Sequence, residues 1–598
     1  MAILKWGLAA AVLTQLAVAA VWADEPAKEA QFNFVPWPQS VTAGDKGEVA
    51  LTAQSRIVAT DKALAPLADV LSGEIQMITG LRLAKATDAA RAGDIVLATD
   101  PALTPPAAYT VAAGPDRIVV KGGGYIGVAH GTSLLLQAIV LDKGKASVPA
   151  FAVQDKPYSE YYGTMLDIAR QENSMDDIKQ VVEMCRLYRI RFLQFHMSDD
   201  QGWTWPSKAY PKLGTKNSAA HGGPVPRLPT LDQWKDLVKF ADDRGVTIVP
   251  EIETPGHSGA ARGSLPEAFG PDVGVMNIAN PNMYVAMDTI IGELADVFKS
   301  TPYIHIGCDE CSVGAVANTP AGKAFMAAHK ITDAGDLFAW HIATMNDLVK
   351  KRGKRTIVWQ DAPLTARVPK DVIVMVWHID DNNGATMDYL RSGRPVIQVT
   401  WTPCVYQPVK DVYNWNAWTK DMPPKLMLGA QMVLWERPGW EAVPKLRYKS
   451  PPRNERVWNP FANRPYEDFA RRLEATDATL DRVLTGIVAE EKGLLQTLGA
   501  WLQEGGQGSE GSGILPKFSF DSTTTVALRS SVRGAHIRCT ADGKDPAESS
   551  TPYTAPIKLA DARADKIVLK ARLFDMDGKP VGGVWVREYN RDKSSPAK

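Results

Sequence analysis

Gly163-Thr164-Met165-Leu166-Asp167-Ile168-Ala169-Arg170 is an apolar run that closes on charged residues, and the pattern it begins repeats down the chain. RFLQFHM follows at 191, TIVPEIE at 247, YIHIGCD at 303, RTIVWQD at 355, VIVMVWHI at 372, PVIQVTW at 395 and LMLGAQMVLW at 426. Runs this continuously apolar read as strands buried on both faces, the habit of parallel sheets. Amphipathic stretches lie between them. Ser174 with Asp177 forms a capping box ahead of Ile178, Val181, Val182 and Cys185, which share one helical face. Thr230 with Gln233 repeats the device before Trp234, Leu237, Val238 and Ala241, and Gly245 supplies the stop. Phe338, Ile342, Met345 and Val349, ending at Gly353, mark a third helix. Eight strands alternating with helices over about 320 residues predict an α/β fold, a closed (β/α)8 TIM barrel whose strand C-terminal ends share one face.

Working outward, residues 32–155 carry strand-like runs, DIVL at 94 and RIVV at 117, and helical patterns over 65–79 and 127–140. They read as an N-terminal α+β domain. The barrel is assigned residues 156–500. QEGGQGSEGSG at 503–513 is a polar linker, and residues 514–592 show short alternating runs with turns at Asp542-Gly543 and Asp577-Gly578, the pattern of a C-terminal β-sandwich module. At the other end, Lys5 precedes an apolar run from Trp6 to Val21, and Val21-Trp22-Ala23 offers small residues at the cleavage positions. Residues 1–23 are expected to be a signal peptide, with export to the periplasm or beyond. No later stretch reaches the roughly 18 apolar residues of a spanning helix, so no membrane span is expected.

Composition narrows the partner. The 598 residues hold 67 basic and 67 acidic side chains, which leaves no basic footprint for nucleic acid. Seventeen Trp offer flat apolar faces of the kind that sugar rings use. Five Cys, with only Cys308 and Cys311 closely spaced, make no disulfide framework and half a zinc ribbon at most. Buried free thiols are expected, and no metal or cofactor.

The polar residues gather at strand ends. Asp167 and Arg170 end the first strand, His196 with Asp199 and Asp200 the second, Glu251, Glu253 and His257 the third, Asp309 and Glu310 the fourth. Of nine His in the chain, His196, His257 and His305 sit in or just after successive strands. Carboxylates at the C-terminal ends of barrel strands read as active-site residues. Neighbouring side chains at a strand end point to different sides, so Asp309 and Glu310 can address one substrate from two directions. Two carboxyl groups with different tasks are what glycoside hydrolysis needs.

On these residues the chain resembles the family 20 glycoside hydrolases, the exo-acting β-N-acetylhexosaminidases, over most of residues 35–590. The matching segments are GTMLDIAR at 163, FHMSDDQGW at 195, VPEIETPGH at 249, HIGCDE at 305, VWQD at 358, MVLWE at 432 and ERVWNP at 455. TADGKDP at 540 and SSTPYTAPI at 549 resemble the family's C-terminal β-domain. The resemblance implies a retaining hydrolase without a cofactor, in which the substrate's own 2-acetamido oxygen is the nucleophile. It makes Glu310 the general acid, Asp309 the residue that orients the acetamido N–H, and Tyr406 the hydrogen-bond donor to the acetamido oxygen. Arg170 would hold sugar hydroxyls and Asp199 with His257 would support the acid. Trp359, Trp377 and Trp435 would wall the sugar, with Glu436 beside them. The implied partner is an oligosaccharide or glycoconjugate with a terminal β-linked N-acetylglucosamine or N-acetylgalactosamine, chitin fragments among them.

This chain departs from the family pattern at several places. Tyr162 and Gln194 replace an arginine and a histidine, Glu253 stands for an aspartate and Cys308 for a glycine. Pro408 stands where a carboxylate or amide is usual, and Trp435-Glu436 lacks a spacer glycine. Those last two changes remove acceptors for the sugar's 4- and 6-hydroxyls, so a pocket tolerant of both epimers is expected, with rates within about tenfold. Two rival readings are a metal-dependent barrel hydrolase, for which Gln194 breaks the required histidine pair, and a glycan-binding protein on a hydrolase scaffold. Binding alone does not need both Asp309 and Glu310.

Overall fold

Eight parallel strands close into a barrel in the computed structural model: β1 (Tyr161–Asp167), β2 (Phe192–His196), β3 (Thr247–Thr254), β4 (Tyr303–Gly307), β5 (Arg355–Trp359), β6 (Ile373–Val376), β7 (Val396–Gln398) and β8 (Met427–Met432). Each lies within or across one of the eight runs expected from the sequence. The structure describes residues 32–592 apart from 115, 271–272, 364, 379–382, 400–406, 463, 508–515, 517 and 562–563. The expected signal peptide lies outside the described residues. The barrel closes where Gln431 of β8 pairs with Gly163 of β1. Every residue of β1 to β4 is buried, because one face of each strand fills the lumen while the other packs beneath helices. Tyr161, Met165, Phe192, Val249, Tyr303, Ile373 and Ile397 fill the lumen, with Tyr161 and Phe192 stacked at 4.6 Å. The barrel is therefore a packed core, not a channel.

The outer helices begin as the sequence predicts. Ser174 caps Met175–Leu187 and Thr230 caps Leu231–Asp242, each in a reciprocal box with the third helical residue; such caps are worth about 1 kcal/mol each. The N-terminal domain is a mixed sheet with helices Ala65–Thr79 and Tyr125–Ala138 against it. Gly131 lets the second helix sit down on the sheet, since a Cβ there would lie 2.5 Å from Val120 Cγ1. Buried Arg186 of the barrel helix Met175–Leu187 reaches Glu74 with two bonds of 3.1 and 3.2 Å, which locks the two domains. Asp155 does the same at the opposite edge, accepting from Tyr109 at 2.6 Å and from Trp458 Nε1 at 3.0 Å.

The C-terminal domain is one connected seven-stranded sheet. Its first strand, Ile487–Leu494, falls in the stretch that the sequence reading assigned to the barrel, and this corrects that boundary. Gly486, in the left-handed region, ends helix Tyr466–Thr485, and the chain turns straight into antiparallel pairing with Phe518–Ser530. The linker is also shorter than read. Gly505 and Gly506 are held by the backbone of Lys410 and Val409 at 3.0 and 3.3 Å, while 508–513 lie outside the described residues. Cys185, Cys308, Cys311 and Cys539 are free thiols, all but Cys311 fully buried. No helix among the described residues is long and apolar enough to cross a membrane.

Candidate active site

Closing the barrel sets the ends of β1, β2, β3 and β4 side by side, and their polar residues form one continuous chain. Arg170 NH2 lies 2.7 Å from Asp199 Oδ2. The other Asp199 oxygen lies 3.6 Å from His257 Nδ1, and His257 Nε2 lies 3.3 Å from Glu310 Oε2 and 3.6 Å from Asp309 Oδ2. Four loops from four successive strands are thus tied by charge. Asp200, which the sequence reading left without a role, gives His257 a second anion at 3.7 Å.

These positions are set by unusual backbone. Gly307 (φ 76°), Cys308 (φ 82°) and Glu310 (φ 44°) put three of the four residues 307–310, at and just past the end of β4, in the left-handed region, and His257 (φ 41°) and Glu436 (φ 61°) join them. Non-glycine residues avoid that region, at a cost on the order of 1–3 kcal/mol each, unless surrounding contacts hold them. The turn after β4 splits the acidic pair. Asp309 is pulled down to 15% side-chain exposure while Glu310 stands at 57% on the rim.

Beneath them lies a buried carboxyl cluster. Glu251 accepts from Gln194 Nε2 at 2.7 Å and from Trp359 Nε1 at 2.8 Å, and lies 3.2 Å from His196 Nδ1. Gln194 thus has a hydrogen-bonding role of its own in place of the family's histidine. Glu253 is one methylene longer than the family's aspartate, and Gly307 makes room for it: a Cβ at 307 would fall 1.8 Å from Glu253 Oε2. Its carboxyl meets Asp309 instead of His257. Among the described residues, Glu253 Oε2 and Asp309 Oδ1 receive no N–H donor, and the two acids bond to each other instead.

The electrostatics follow. Burial, with the Asp309 and Glu251 charges beside it, pushes Glu253 well above the carboxylate range, so it carries a proton. Burial also raises Asp309, opposed by His257 and by the hydrogen bond from Glu253. Burial would neutralise His257, yet Asp199 and Asp200 outweigh it and push the imidazole up to about 11. His196 is pushed up to about 10 in the same way, burial losing to Glu251 and Asp199. Both rings are therefore cations at neutral pH.

Trp377 and Trp435 are partly exposed at the mouth, 6.4 Å apart between ring centres, and Trp435 lies 5.6 Å from Trp359. Trp359 is fully buried and forms the floor beneath them, its indole N–H spent on Glu251. Asp361 accepts from Trp377 Nε1 at 2.9 Å and so orients that ring, a task that nothing in the segment VWQD announces. Glu436 sits beside Arg170, with 3.9 Å between Oε1 and Nε. Tyr406 lies outside the described residues. Pro408 precedes helix Val409–Asn414 and brings no polar side chain. Among the described residues, three groups of acids and imidazoles have ligand atoms close enough for a metal: His196, Glu251 and Glu253; Asp199, Asp200 and His257; His257, Asp309 and Glu310.

A closed barrel with two adjacent acids of unequal exposure at the end of β4, set above tryptophan rings, defines the class of barrel glycosidases. The comparisons agree. The family model for glycosyl hydrolase family 20, catalytic domain, matches residues 159–443, and that for domain 2 of the family matches 31–156. The chitobiase/beta-hexosaminidase C-terminal domain matches 516–581. The chain belongs to glycosyl hydrolase family 20. It is 26% identical to a beta-hexosaminidase of Porphyromonas gingivalis across 96% of this chain and 77% of that one. With a beta-hexosaminidase of Vibrio furnissii the identity is 29%, over 71% and 76% of the two chains. The fold is shared with the exo beta-N-acetylglucosaminidase of Vibrio harveyi solved with N-acetylglucosamine, at a TM-score of 0.69 and 24% identity, over 76% of this chain and 77% of that one.

Proposed function

We propose that this chain is an exo-acting, retaining β-N-acetylhexosaminidase that removes terminal N-acetylglucosamine or N-acetylgalactosamine by substrate-assisted catalysis. The observation that carries the reading is the unequal pair after β4. Glu310, exposed on the rim, can reach a glycosidic oxygen that still bears its leaving group. Asp309, buried and bonded to Glu253 and His257, can reach only the part of a sugar that enters the pocket.

The chemistry follows from those places. Glu310 gives its proton to the glycosidic oxygen as the bond to the anomeric carbon breaks. Asp309 accepts the acetamido N–H, so the acetamido carbonyl oxygen faces the anomeric carbon and bonds to it, giving an oxazolinium ring and the freed alcohol. Asp309 also offsets the positive charge that spreads over that ring. Glu310, now a carboxylate beside the His257 cation, takes a proton from the water that opens the oxazolinium. Two inversions at one carbon leave the configuration as it began.

The relatives named beta-hexosaminidase support this reading, as does the retention of both acids, which a purely glycan-binding protein would not need. The apolar run from Trp6 to Val21 supports export, where oligosaccharide and glycoconjugate ends such as chitin fragments would be met. The test is proton NMR of the purified protein turning over an aryl N-acetyl-β-glucosaminide. Free N-acetylglucosamine should appear first as the β-anomer, and a thiazoline mimic of the oxazolinium should inhibit strongly. Release of the α-anomer first would contradict the proposal.

A further inference from the structure

Strand β8 lies diametrically opposite β4 in a closed barrel of eight. A terminal sugar whose anomeric carbon meets Glu310 must therefore point its far carbons, with their hydroxyls, toward the loops after β8 and β1. Pro408 contributes nothing polar at that end, and the two groups the sequence offers are Arg170 and Glu436. Arg170 is largely committed, with NH1 3.2 Å from Asp167 and NH2 2.7 Å from Asp199. Among the described residues, Glu436 is the acceptor left at this corner, at 43% exposure.

A third loop reaches this corner. Ala219 to Pro224, far along the excursion that follows β2, are bonded to the loop after β1: Ala220 N–H donates to Arg170 O at 2.9 Å, and Glu172 N–H donates to Pro224 O at 3.0 Å. The β1 loop is bonded in turn to the β8 loop. Gln171 Nε2 donates to Glu436 O at 2.9 Å, Asn173 Nδ2 to Arg437 O at 3.2 Å, and Gly439 N–H to Glu172 O at 3.1 Å. The three loops form one wall. His221 sits at its crest in the left-handed region (φ 52°, ψ 27°), followed by Gly222 (φ 71°), and its Nε2 lies 3.1 Å from Glu436 Oε2. The imidazole is 67% exposed, and among the described residues this is the side-chain contact that directs it.

We infer that His221 is a positioning residue for the sugar's outer hydroxyls: it donates to one oxygen of Glu436 and turns the other, beside Arg170, into the pocket as their acceptor. The pair replaces what Pro408 removes. An exposed carboxylate without it would sample several rotamers, and a hydroxyl bonded to one of them would gain little. The inference rests on the hexosaminidase reading and names the subsite that this chain uses within it.

The experiment crosses two enzyme variants with three substrates. Wild type, His221→Ala and His221→Gln are assayed on an aryl N-acetyl-β-glucosaminide and on its 4-deoxy and 6-deoxy analogues. On the parent, His221→Ala should lose three- to tenfold in kcat/KM, what one hydrogen bond is worth, mostly as a higher KM. On the deoxy substrate whose hydroxyl Glu436 holds, wild type and His221→Ala should be equal within twofold. His221→Gln, which keeps a donor, should restore at least half of the parent's loss. An equal loss on all three substrates, or no loss on the parent, overturns the inference. If wild type fails to hydrolyse the parent at all, the functional reading falls instead. Unchanged unfolding temperatures in all three proteins show that the comparison reports the subsite.

Discussion

Two buried charge clusters in this molecule solve opposite problems. At the seam between helices Gly439–Trp458 and Tyr466–Thr485 and the C-terminal sheet, two guanidinium groups meet three carboxylates. Arg447 bonds Asp477 and lies 2.6 Å from Asp481, and Arg587 reaches Asp481 at 3.3 Å. Arg587 also lies 3.4 Å from Glu491, so each of these carboxylates has a guanidinium beside it. Under the barrel mouth, Glu251, Glu253 and Asp309 crowd together with more acid than base. Glu253 is driven to keep a proton, which bonds it to Asp309. The seam uses charge to hold two domains in register. The mouth crowds like charges together, which is costly unless a proton or a ligand's donor relieves it.

That contrast breaks if removing a mouth acid leaves turnover intact, or if removing a seam charge abolishes it. Glu310→Gln should lower kcat by about 10²–10⁴, with less loss on aryl glycosides whose leaving groups need little protonation; steady-state rates on aryl and natural glycosides check this. Asp309→Asn should cost about 10²–10³ and the same on both substrates, because the acetamido group is common to them. Arg447→Met should lower unfolding free energy by about 3–5 kcal/mol, by leaving buried Asp477 without its guanidinium partner, while kcat per folded molecule stays unchanged; denaturant melts paired with active-site titration separate the two. Gly307→Ala sharpens the contrast. Its Cβ would displace the Glu253 carboxyl, and a misplacement of about 1 Å beneath Asp309 should cost on the order of 10²-fold in kcat.

The smallest effect is on pH. His257 and His196 are raised from 6.5 to about 11 and about 10, so between those values the folded chain holds more protons than the unfolded one. By linkage, their contribution is complete below pH 6.5 and is lost as pH rises toward 10 and 11. Unfolding midpoints should fall along that limb. His257→Gln should flatten the fall, and Arg447→Met should not.

The barrel was legible in the sequence because each strand is buried on both faces and must be apolar along its length, so any polar residue at its end stands out. Asp309, Glu310, His257, Asp199 and Arg170 were found that way, and the structure joins them into one chain. What escaped had no local signature. IVAEEKGL at 487 alternates too weakly to declare a strand, and it was placed with the barrel although it pairs with the C-terminal sheet. His221 lies 215 residues from Glu436 and sits in a loop with no periodicity; only the flanking Gly222 and Gly223 hinted at a special turn. Asp361 and Trp377 meet only because β5 and β6 are neighbours. The fit of Glu253 against Gly307 depends on a missing Cβ in the adjacent strand, which no pattern within one strand announces.

The central claim is that the substrate supplies its own nucleophile to the pocket formed by Asp309 and Glu310. The most direct test compares kcat/KM for an aryl N-acetyl-β-glucosaminide with that for the matching β-glucoside, which differs only in a 2-hydroxyl where the acetamido group stood. The account predicts that the glucoside is slower by at least about 10⁴-fold, since it has lost an intramolecular nucleophile worth on the order of 7–11 kcal/mol. Turnover of the two within about tenfold, a difference of only about 1.4 kcal/mol, would contradict it.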